Sequence, residues 1–321
     1  MSYLKKILFL SLSLSILFYG CSEGNDSQKE AAEVARKEPK SLISSKELKT
    51  LLLEEPNVVL IDVRKPASYS TGHLPKALNI WRPQIQDTVG YEYGGMMASR
   101  SQLEELFSGL GIRFGDFLVM YDAKGQVDAA RLWWILYCYG YTNMTLLDGG
   151  IQGWNRISGE LSTSPMKLNS VTKFTFGDSE NLEFYSGKDQ VLASLNSNKK
   201  IVDCRSTAEY SGEQLKKGAY RAGRIPRAIH ADYMNCIEVG GERDCEFKSV
   251  KELEKMYLQK GITSEDSIII YCHSGVRSAH SVFVLTQILG FQKVKNYDGS
   301  WVEWSYYKEL PIETDTVAII N

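Results

Sequence analysis

The stretch Ile268-Ile269-Ile270-Tyr271-Cys272-His273-Ser274-Gly275-Val276-Arg277-Ser278 predicts a strand, a loop and the start of a helix. Three isoleucines and a tyrosine are typical of a buried parallel strand, and residues 278–285 predict a helix. A loop between the two gathers backbone N–H groups around one point, and the helix N-terminus adds partial positive charge there. Both effects favour the thiolate of Cys272, which is the nucleophilic form of cysteine. The stretch therefore predicts a site where a reactive cysteine carries out sulfur chemistry and where anions are bound.

An alternative interpretation makes Cys272 a core residue that ends a strand, because free cysteine is among the most buried residue types. The residues that follow favour the reactive interpretation. A simple core position needs neither Gly275 nor Arg277, whereas a loop that stabilises a thiolate has a use for both.

The bulk composition indicates a folded protein with about two domains. The chain has 321 residues, of which 43% are hydrophobic and 24% are charged. A net charge of −2 gives no electrostatic footprint for nucleic acid. Six cysteines in a chain of this length do not make a disulfide scaffold.

The N-terminus has the features of a targeting segment. Lys5 and Lys6 precede an apolar run over residues 7–19, which is too short for a comfortable membrane span. Gly20-Cys21 after this run resembles a bacterial lipoprotein cleavage box, so we expect a signal peptide over 1–20 and a lipidated Cys21. Residues 21–40 are polar and predict a flexible tether. This predicts an extracytoplasmic protein anchored to a membrane by lipid; ordinary secretory cleavage and an uncleaved anchor are the alternatives.

Export would permit disulfides, and Cys236 and Cys245 flank a stretch with turn character. The two cysteines either form a disulfide that closes a small loop or remain unpaired thiols. Cys138, within an apolar helical stretch, is predicted to pack in the core. The four histidines (His73, His230, His273 and His280) have no ligand spacing with cysteine, so no metal site is predicted.

The two halves of the chain carry the same landmarks in the same order. Ile61-Asp62-Val63-Arg64 corresponds to Ile201-Val202-Asp203-Cys204-Arg205, and residues 72–77 correspond to 223–228. The strand before Asp122 corresponds to the strand before Cys272, and residues 147–154 correspond to 297–304. An internal duplication explains this order. Strands that alternate with helices predict two α/β domains with parallel sheets, over 41–160 and 187–315, joined by a linker over 161–186.

The repeated Asp-x-Arg and Gly-x-Ile/Leu-Pro-x-Ala patterns, the cysteine loop and the block Asp-Gly-Ser-Trp-Val-Glu-Trp at 298–304 resemble a tandem-domain rhodanese sulfurtransferase. The resemblance covers roughly Leu42 to Pro311. It implies two rhodanese-like domains, of which only the second is catalytic. Asp122 stands at the position of Cys272, and a carboxylate cannot hold a persulfide, so the first domain is expected to be a structural or substrate-shaping partner.

The resemblance implies a two-step reaction with Cys272 as the nucleophile. Its thiolate takes a sulfur from a donor, becomes a persulfide, and passes that sulfur to cyanide or a thiol. The residues expected to bind the donor and hold the anionic sulfur are Arg205, His273, Ser274, Gly275, Val276 and Arg277. Arg205 has an alternative role in a salt bridge with Asp203 or Glu209, and Arg64, its counterpart in the first domain, is expected to be structural. No cofactor is expected, and the protein is expected to be a monomer.

Three alternatives remain open at this point. Related phosphatases have one residue more between cysteine and arginine, which makes a wider loop, so phosphoryl transfer is disfavoured. The loop shares Ser274, Gly275 and Val276 with mercaptopyruvate enzymes, but Arg277 favours thiosulfate over 3-mercaptopyruvate as the donor. The third alternative is a non-enzymatic, surface-anchored persulfide carrier or binding scaffold. The complete cysteine loop argues against it, because a pure scaffold does not need one. Cys204 is interpreted as a core residue in the place of Val63.

Overall fold

The computed structural model describes residues 40–87, 89–166 and 170–315, all within one compact unit. The predicted signal peptide, Cys21 and all of the tether except its last residue lie outside these residues, so the lipid anchor stays a prediction. Among the described residues, no helix is long and apolar enough to cross a membrane.

The first domain is a five-stranded parallel sheet with helices on its faces. Its strands are β1 (Leu42–Ile43), β2 (Val58–Asp62), β3 (Leu78–Asn79), β4 (Phe117–Tyr121) and β5 (Met144–Leu147), in the spatial order β1-β5-β4-β2-β3. Its helices are α1 (Ser45–Glu54), α2 (Pro66–Thr71), α3 (Arg100–Gly109), α4 (Val127–Cys138) and α5 (Gly150–Arg156), with a 3₁₀ turn at Arg82–Ile85. Ser44 and Ser99 begin α1 and α3 with capping boxes.

The second domain repeats this arrangement. Its strands are β6 (Tyr185–Ser186), β7 (Lys200–Asp203), β8 (Ile229–His230), β9 (Ile268–Tyr271) and β10 (Val294–Tyr297), in the spatial order β6-β10-β9-β7-β8. Its helices are α6 (Lys188–Ser194), α7 (Thr207–Ser211), α8 (Val250–Gln259), α9 (Val276–Phe283) and α10 (Ser300–Tyr306). Short 3₁₀ turns occupy Leu182–Phe184, Tyr233–Cys236 and Gly241–Arg243, and a π-helical segment over Val284–Ile288 extends α9.

The predicted α/β class and the two parallel sheets are therefore confirmed, with small shifts at the boundaries. Helix α9 begins at Val276, not at Ser278, so the loop after Cys272 is shorter than expected. Strand β6 pairs with β10, which places the last two residues of the predicted linker in the second sheet.

The two domains pack through α4 and α9, the helices that follow the central strands β4 and β9. The rings of Trp133 and Phe283 meet edge to face with their centroids 4.9 Å apart. One continuous hydrophobic cluster contains side chains of both domains, including Trp133, Cys204, Cys272 and Phe283. The cysteine loop therefore lies at the packed junction of the two domains.

Candidate active site

Cys272 follows β9 directly, and its side chain is buried, with 1% of its surface exposed. The turn after it depends on Gly275, whose φ is +73°. A Cβ at Gly275 would lie 2.6 Å from the carbonyl oxygen of Asp298 and 2.8 Å from a guanidinium nitrogen of Arg131. Only glycine fits this position without a shift of its neighbours. Val276, the next residue, is buried at the first turn of α9.

Ser300, at the start of α10, holds the loop in shape. Its hydroxyl accepts hydrogen bonds from the N–H groups of Cys272 at 3.1 Å and Gly275 at 3.0 Å, and it donates to the carbonyl of Tyr297 at 2.7 Å. Two of the loop N–H groups are thus committed to Ser300 and are not free to bind an anionic sulfur. Ser300 belongs to the block at 298–304 that carries the resemblance, but its hydrogen bonds to the cysteine loop were not predicted from the sequence.

The thiol of Cys272 has a pKa well below its usual value. Burial by itself would raise that pKa, but the neighbouring thiol of Cys204, the positive charge of Arg277 and hydrogen bonds from Ser278 outweigh it. The Ser278 hydroxyl lies 3.5 Å from the Cys272 sulfur, and its backbone N–H also points to the sulfur. The surroundings of Cys272 therefore favour its thiolate, the state that a sulfur nucleophile requires.

Arg277 is held beside the thiolate by a carboxylate from α7. Its two terminal nitrogens lie 2.6 and 2.8 Å from the carboxylate oxygens of Glu209, a bidentate pair. Burial would raise the pKa of Glu209, but Arg277 lowers it to about 2, so the pair stays ionised. Arg277 thus acts on Cys272 through its charge. Glu209 was expected as an alternative partner of Arg205, whereas in the structure Glu209 pairs with Arg277.

Two further groups of the second domain border the site. The ring of His273 is hydrogen-bonded through Nε2 to the carbonyl of Lys217 at 3.1 Å. Burial lowers the pKa of His273, so its imidazole is neutral at pH 7 and adds no positive charge. Partial burial of its ammonium group and repulsion from Arg277 lower the pKa of Lys216, and the charge of Cys272 opposes this. Among the described residues, no carboxylate pairs with Lys216.

Arg205, in contrast, is occupied by structural contacts. Its guanidinium binds both oxygens of Asp203 at 2.6–3.0 Å and the carbonyl of Gly223 at 2.8 Å, and 1% of the residue is exposed. In the first domain Arg64 bridges Asp62 and the carbonyl of Gly72 in the same way. Since the domain without a cysteine keeps this bridge, we correct the expected role of Arg205 from donor binding to the ion pair with Asp203.

The corresponding loop of the first domain is filled by its own carboxylate. Asp122 accepts hydrogen bonds from the N–H groups of Lys124 at 2.7 Å, Gln126 at 2.9 Å and Asp128 at 2.8 Å. Burial, with the nearby charge of Asp128, raises the pKa of Asp122 to about 6. The N–H groups at the start of α4 are therefore occupied by a side chain of the protein itself.

The first domain supports the cysteine loop of the second directly. Arg131, on α4, donates to the carbonyl of Gly275 at 3.2 Å and to that of Gly95 at 3.0 Å. The same guanidinium lies 2.6 Å from a carboxylate oxygen of Asp298, and both side chains are fully buried. Gly95 packs on the loop so closely that a Cβ there would lie 2.7 Å from the Cβ of Ser274. These contacts could not be predicted from the sequence, because they join residues far apart in the chain.

The other cysteines within residues 40–315 are unpaired thiols. Cys236 and Cys245 are both free, which contradicts a disulfide between them. The hairpin register explains this, because Cys236 pairs with Lys248 while Cys245 pairs with Glu238. The thiol of Cys236 faces the hydroxyl of Tyr257 at 3.6 Å in the core. Cys138 is buried on α4, as predicted. Within the described residues, no cluster of metal-ligating side chains is present.

The sequence profile of the rhodanese-like domain matches residues 44–157 and again residues 188–306. The chain belongs to the rhodanese-like family. A relative from Mycobacterium bovis, named "Putative thiosulfate sulfurtransferase 1", is 34% identical over 269 residues, which are 81% of this chain and 93% of that protein. A protein of the same function name from Saccharopolyspora erythraea is 33% identical over 270 residues, 81% of this chain and 92% of that one.

Two solved structures share the fold of this chain. The anaerobic ergothioneine biosynthesis enzyme from Chlorobium limicola, solved with trimethyl histidine, superposes with a TM-score of 0.75 at 24% identity. The alignment covers 86% of this chain and 71% of that one. The wild-type structure of the protein named EanB gives a TM-score of 0.74 at 23% identity, with 86% and 70% coverage.

Arg277→Gln is expected to raise the pKa of Cys272, because it removes a positive charge that favours the thiolate. The midpoint of the pH profile for alkylation of Cys272 by iodoacetamide should move to higher pH, and turnover should fall about 10- to 100-fold. Arg277→Lys retains the charge and should move the midpoint less. The double variant Arg277→Gln/Glu209→Gln is the control for the negative charge of Glu209, which Arg277→Gln leaves without its partner. An unchanged midpoint in all three variants would contradict the assigned electrostatics.

Proposed function

We propose that this protein is a sulfurtransferase that moves a sulfane sulfur from thiosulfate to cyanide or a thiol acceptor through a persulfide on Cys272. The observation that carries the proposal is the buried thiol of Cys272 in the loop before α9, 3.5 Å from the Ser278 hydroxyl, with the Arg277–Glu209 pair lowering its pKa. Two relatives that align over most of this chain carry thiosulfate sulfurtransferase in their names. The proposal combines that likeness with the chemistry of the loop.

In the first step the Cys272 thiolate attacks the outer sulfur of thiosulfate, and the bond to the sulfonate group breaks. Sulfite leaves with the electron pair, and the transferred sulfur remains on Cys272 as a persulfide anion. The persulfide sits where the Ser278 hydroxyl and N–H and the charge of Arg277 already favour an anion. In the second step the acceptor attacks the outer sulfur and restores the thiolate.

The charges around the site support an anionic donor. Arg277 is neutralised in part by Glu209, and Lys216 adds a second positive charge near Cys272 that Glu209 also attracts. Attraction between such a charge and thiosulfate raises the local concentration of the donor. Asp122 occupies the equivalent loop of the first domain, so that domain supplies support to the cysteine loop and no second persulfide.

The test is steady-state sulfur transfer to cyanide by the whole protein, with thiosulfate and 3-mercaptopyruvate compared by kcat/KM. We expect a higher kcat/KM for thiosulfate. A preference for 3-mercaptopyruvate would overturn the donor and retain the persulfide chemistry. No turnover with either donor, and no persulfide on Cys272, would overturn the enzyme and favour a scaffold. Hydrolysis of p-nitrophenyl phosphate, measured alongside, should stay at the background rate.

A further inference from the structure

We propose that Cys204 is a second reacting thiol, which attacks the Cys272 persulfide, releases sulfide and closes a Cys204–Cys272 disulfide when no acceptor is present. This inference rests on the proposed persulfide and adds to it a thiosulfate-dependent release of sulfide. It replaces the interpretation of Cys204 as a core residue that merely fills the place of Val63.

Strand pairing places the two thiols side by side. Strands β7 and β9 are parallel neighbours in which Asp203 pairs with Tyr271, so Cys204 and Cys272 are the next residues of each chain segment. The N–H of Cys204 donates to the carbonyl of Tyr271 at 3.0 Å, which carries the pairing one step beyond the strand ends. Neighbouring strands lie about 4.8 Å apart. That spacing falls within the Cα separation of about 4.4–6.8 Å found in disulfides.

Both side chains also point to the same face of the sheet. Cys204 and Cys272 belong to one hydrophobic cluster with Val202 and Ile270, the residues two positions before them. Tyr271, whose side chain alternates with these, belongs to a different cluster on the opposite face. The thiol of Cys204 donates a hydrogen bond to the carbonyl oxygen of Tyr271 at 3.2 Å, and its presence beside Cys272 lowers the pKa of Cys272.

The first domain shows that a thiol is not required for packing at this position. The residue that follows β2 there is Val63, which is buried, as Cys204 is. The ion pair of the neighbouring arginine with its aspartate is the same in both domains. A valine therefore packs equally well at this position. The thiol occurs only in the domain that also contains Cys272.

The proposed step balances without an outside oxidant. The Cys204 sulfur attacks the inner sulfur of the persulfide, the Cys204–Cys272 bond forms, and the bond to the outer sulfur breaks. The proton of Cys204 goes to the outer sulfur, which leaves as hydrosulfide. Cys204 is oxidised to the disulfide level and the outer sulfur is reduced to sulfide. A thiol reductant returns both cysteines to the active state.

The microenvironment makes this step slow in the resting enzyme. Burial, together with the nearby charge of Cys272, keeps the Cys204 pKa well above its usual value, so Cys204 is the less acidic of the two thiols. An acceptor that reaches the persulfide first completes the sulfur transfer. The disulfide forms when sulfur is loaded and no acceptor arrives, and it protects the Cys272 sulfur from irreversible oxidation until a thiol reduces it.

The test is mass spectrometry of the whole protein after thiosulfate treatment without an acceptor, followed by peptide mapping under non-reducing conditions. Wild type is expected to gain one sulfur on Cys272, then to lose that sulfur with two hydrogens as free sulfide appears. Cys204→Val copies Val63 of the first domain, and Cys204→Ser keeps a hydroxyl that can donate to Cys272. Both variants are expected to gain the sulfur and retain it, and Cys204→Val should gain it more slowly because it removes a group that lowers the pKa of Cys272.

The outcomes separate this inference from the proposed function. A persulfide that is equally long-lived in wild type and in both variants would overturn the role of Cys204 and leave the sulfurtransferase intact. A disulfide that maps to Cys236 or Cys245 would also overturn it. If neither wild type nor Cys204→Val gains a sulfur, the proposed function fails and this inference fails with it.

Discussion

Cys272→Ser is expected to lower sulfur transfer from thiosulfate to cyanide by at least about 10³-fold, because a serine hydroxyl cannot carry the transferred sulfur. The nucleophile in this site is a thiolate whose pKa is held well below its usual value by Cys204, Arg277 and Ser278 against the opposing effect of burial. Serine fits the same space and keeps the hydrogen bonds. The loss should therefore appear in kcat with little change in the melting temperature.

Cys245→Ser is the matched control, because Cys245 is a free thiol in a partly exposed loop. The recorded contacts of its sulfur are with Ala123 and Asp244, away from Cys272. It should retain the wild-type turnover. Residual activity in Cys272→Ser that matches wild type would mean that another group carries the sulfur, and the account of the site would be wrong.

Arg131→Met is expected to destabilise the protein by about 3–5 kcal/mol, because it leaves the buried carboxylate of Asp298 without its partner. Both side chains are fully buried, and the guanidinium also binds the carbonyls of Gly275 and Gly95. Loss of the bond to Gly275 should shift the cysteine loop and reduce turnover about 10- to 100-fold. Thermal unfolding and the cyanide assay measure the two effects separately.

Arg131→Met/Asp298→Asn removes both charges and should recover part of the lost stability. It should not recover turnover, because the carbonyl of Gly275 still lacks its donor from the first domain. If Arg131→Met unfolds at the wild-type temperature with unchanged kcat, the first domain does not support the cysteine loop in the way that the contacts indicate.

Much of the fold was predictable from the sequence because strands and helices leave local patterns. The apolar run at 268–270 marked β9, and the strand predicted before Asp122 is β4 (Phe117–Tyr121). The repeat of landmarks predicted the second sheet from the first. The place of Cys272 between a central strand and a helix followed from the order of these elements alone.

The partners of the charged residues were not predictable, because they depend on contacts between distant segments. Arg277 and Glu209 are 68 residues apart in the chain, and nothing local identifies them as a pair. Arg205 was assigned to the donor from the resemblance, yet the aspartate two residues before it takes its guanidinium. The same bridge between Arg64 and Asp62 could have revealed this, since the sequence already aligned the two arginines.

The cysteines illustrate the same limit. A turn between Cys236 and Cys245 is compatible with a disulfide, but the register of the hairpin decides which residues face each other, and it separates these two. Cys204 is the converse case. Its neighbour in the sequence is Arg205, whereas its neighbour across the sheet is Cys272, and only strand pairing reveals the second contact.

The central claim is that Cys272 accepts sulfur from the donor. The most direct test is the mass of the protein after brief treatment with thiosulfate and rapid acid quench, for wild type, Cys204→Val and Cys272→Ser. The account predicts a gain of one sulfur atom in the first two, located on the peptide that contains Cys272, and no gain in Cys272→Ser. No gain in either wild type or Cys204→Val, or an equal gain in Cys272→Ser, would contradict it.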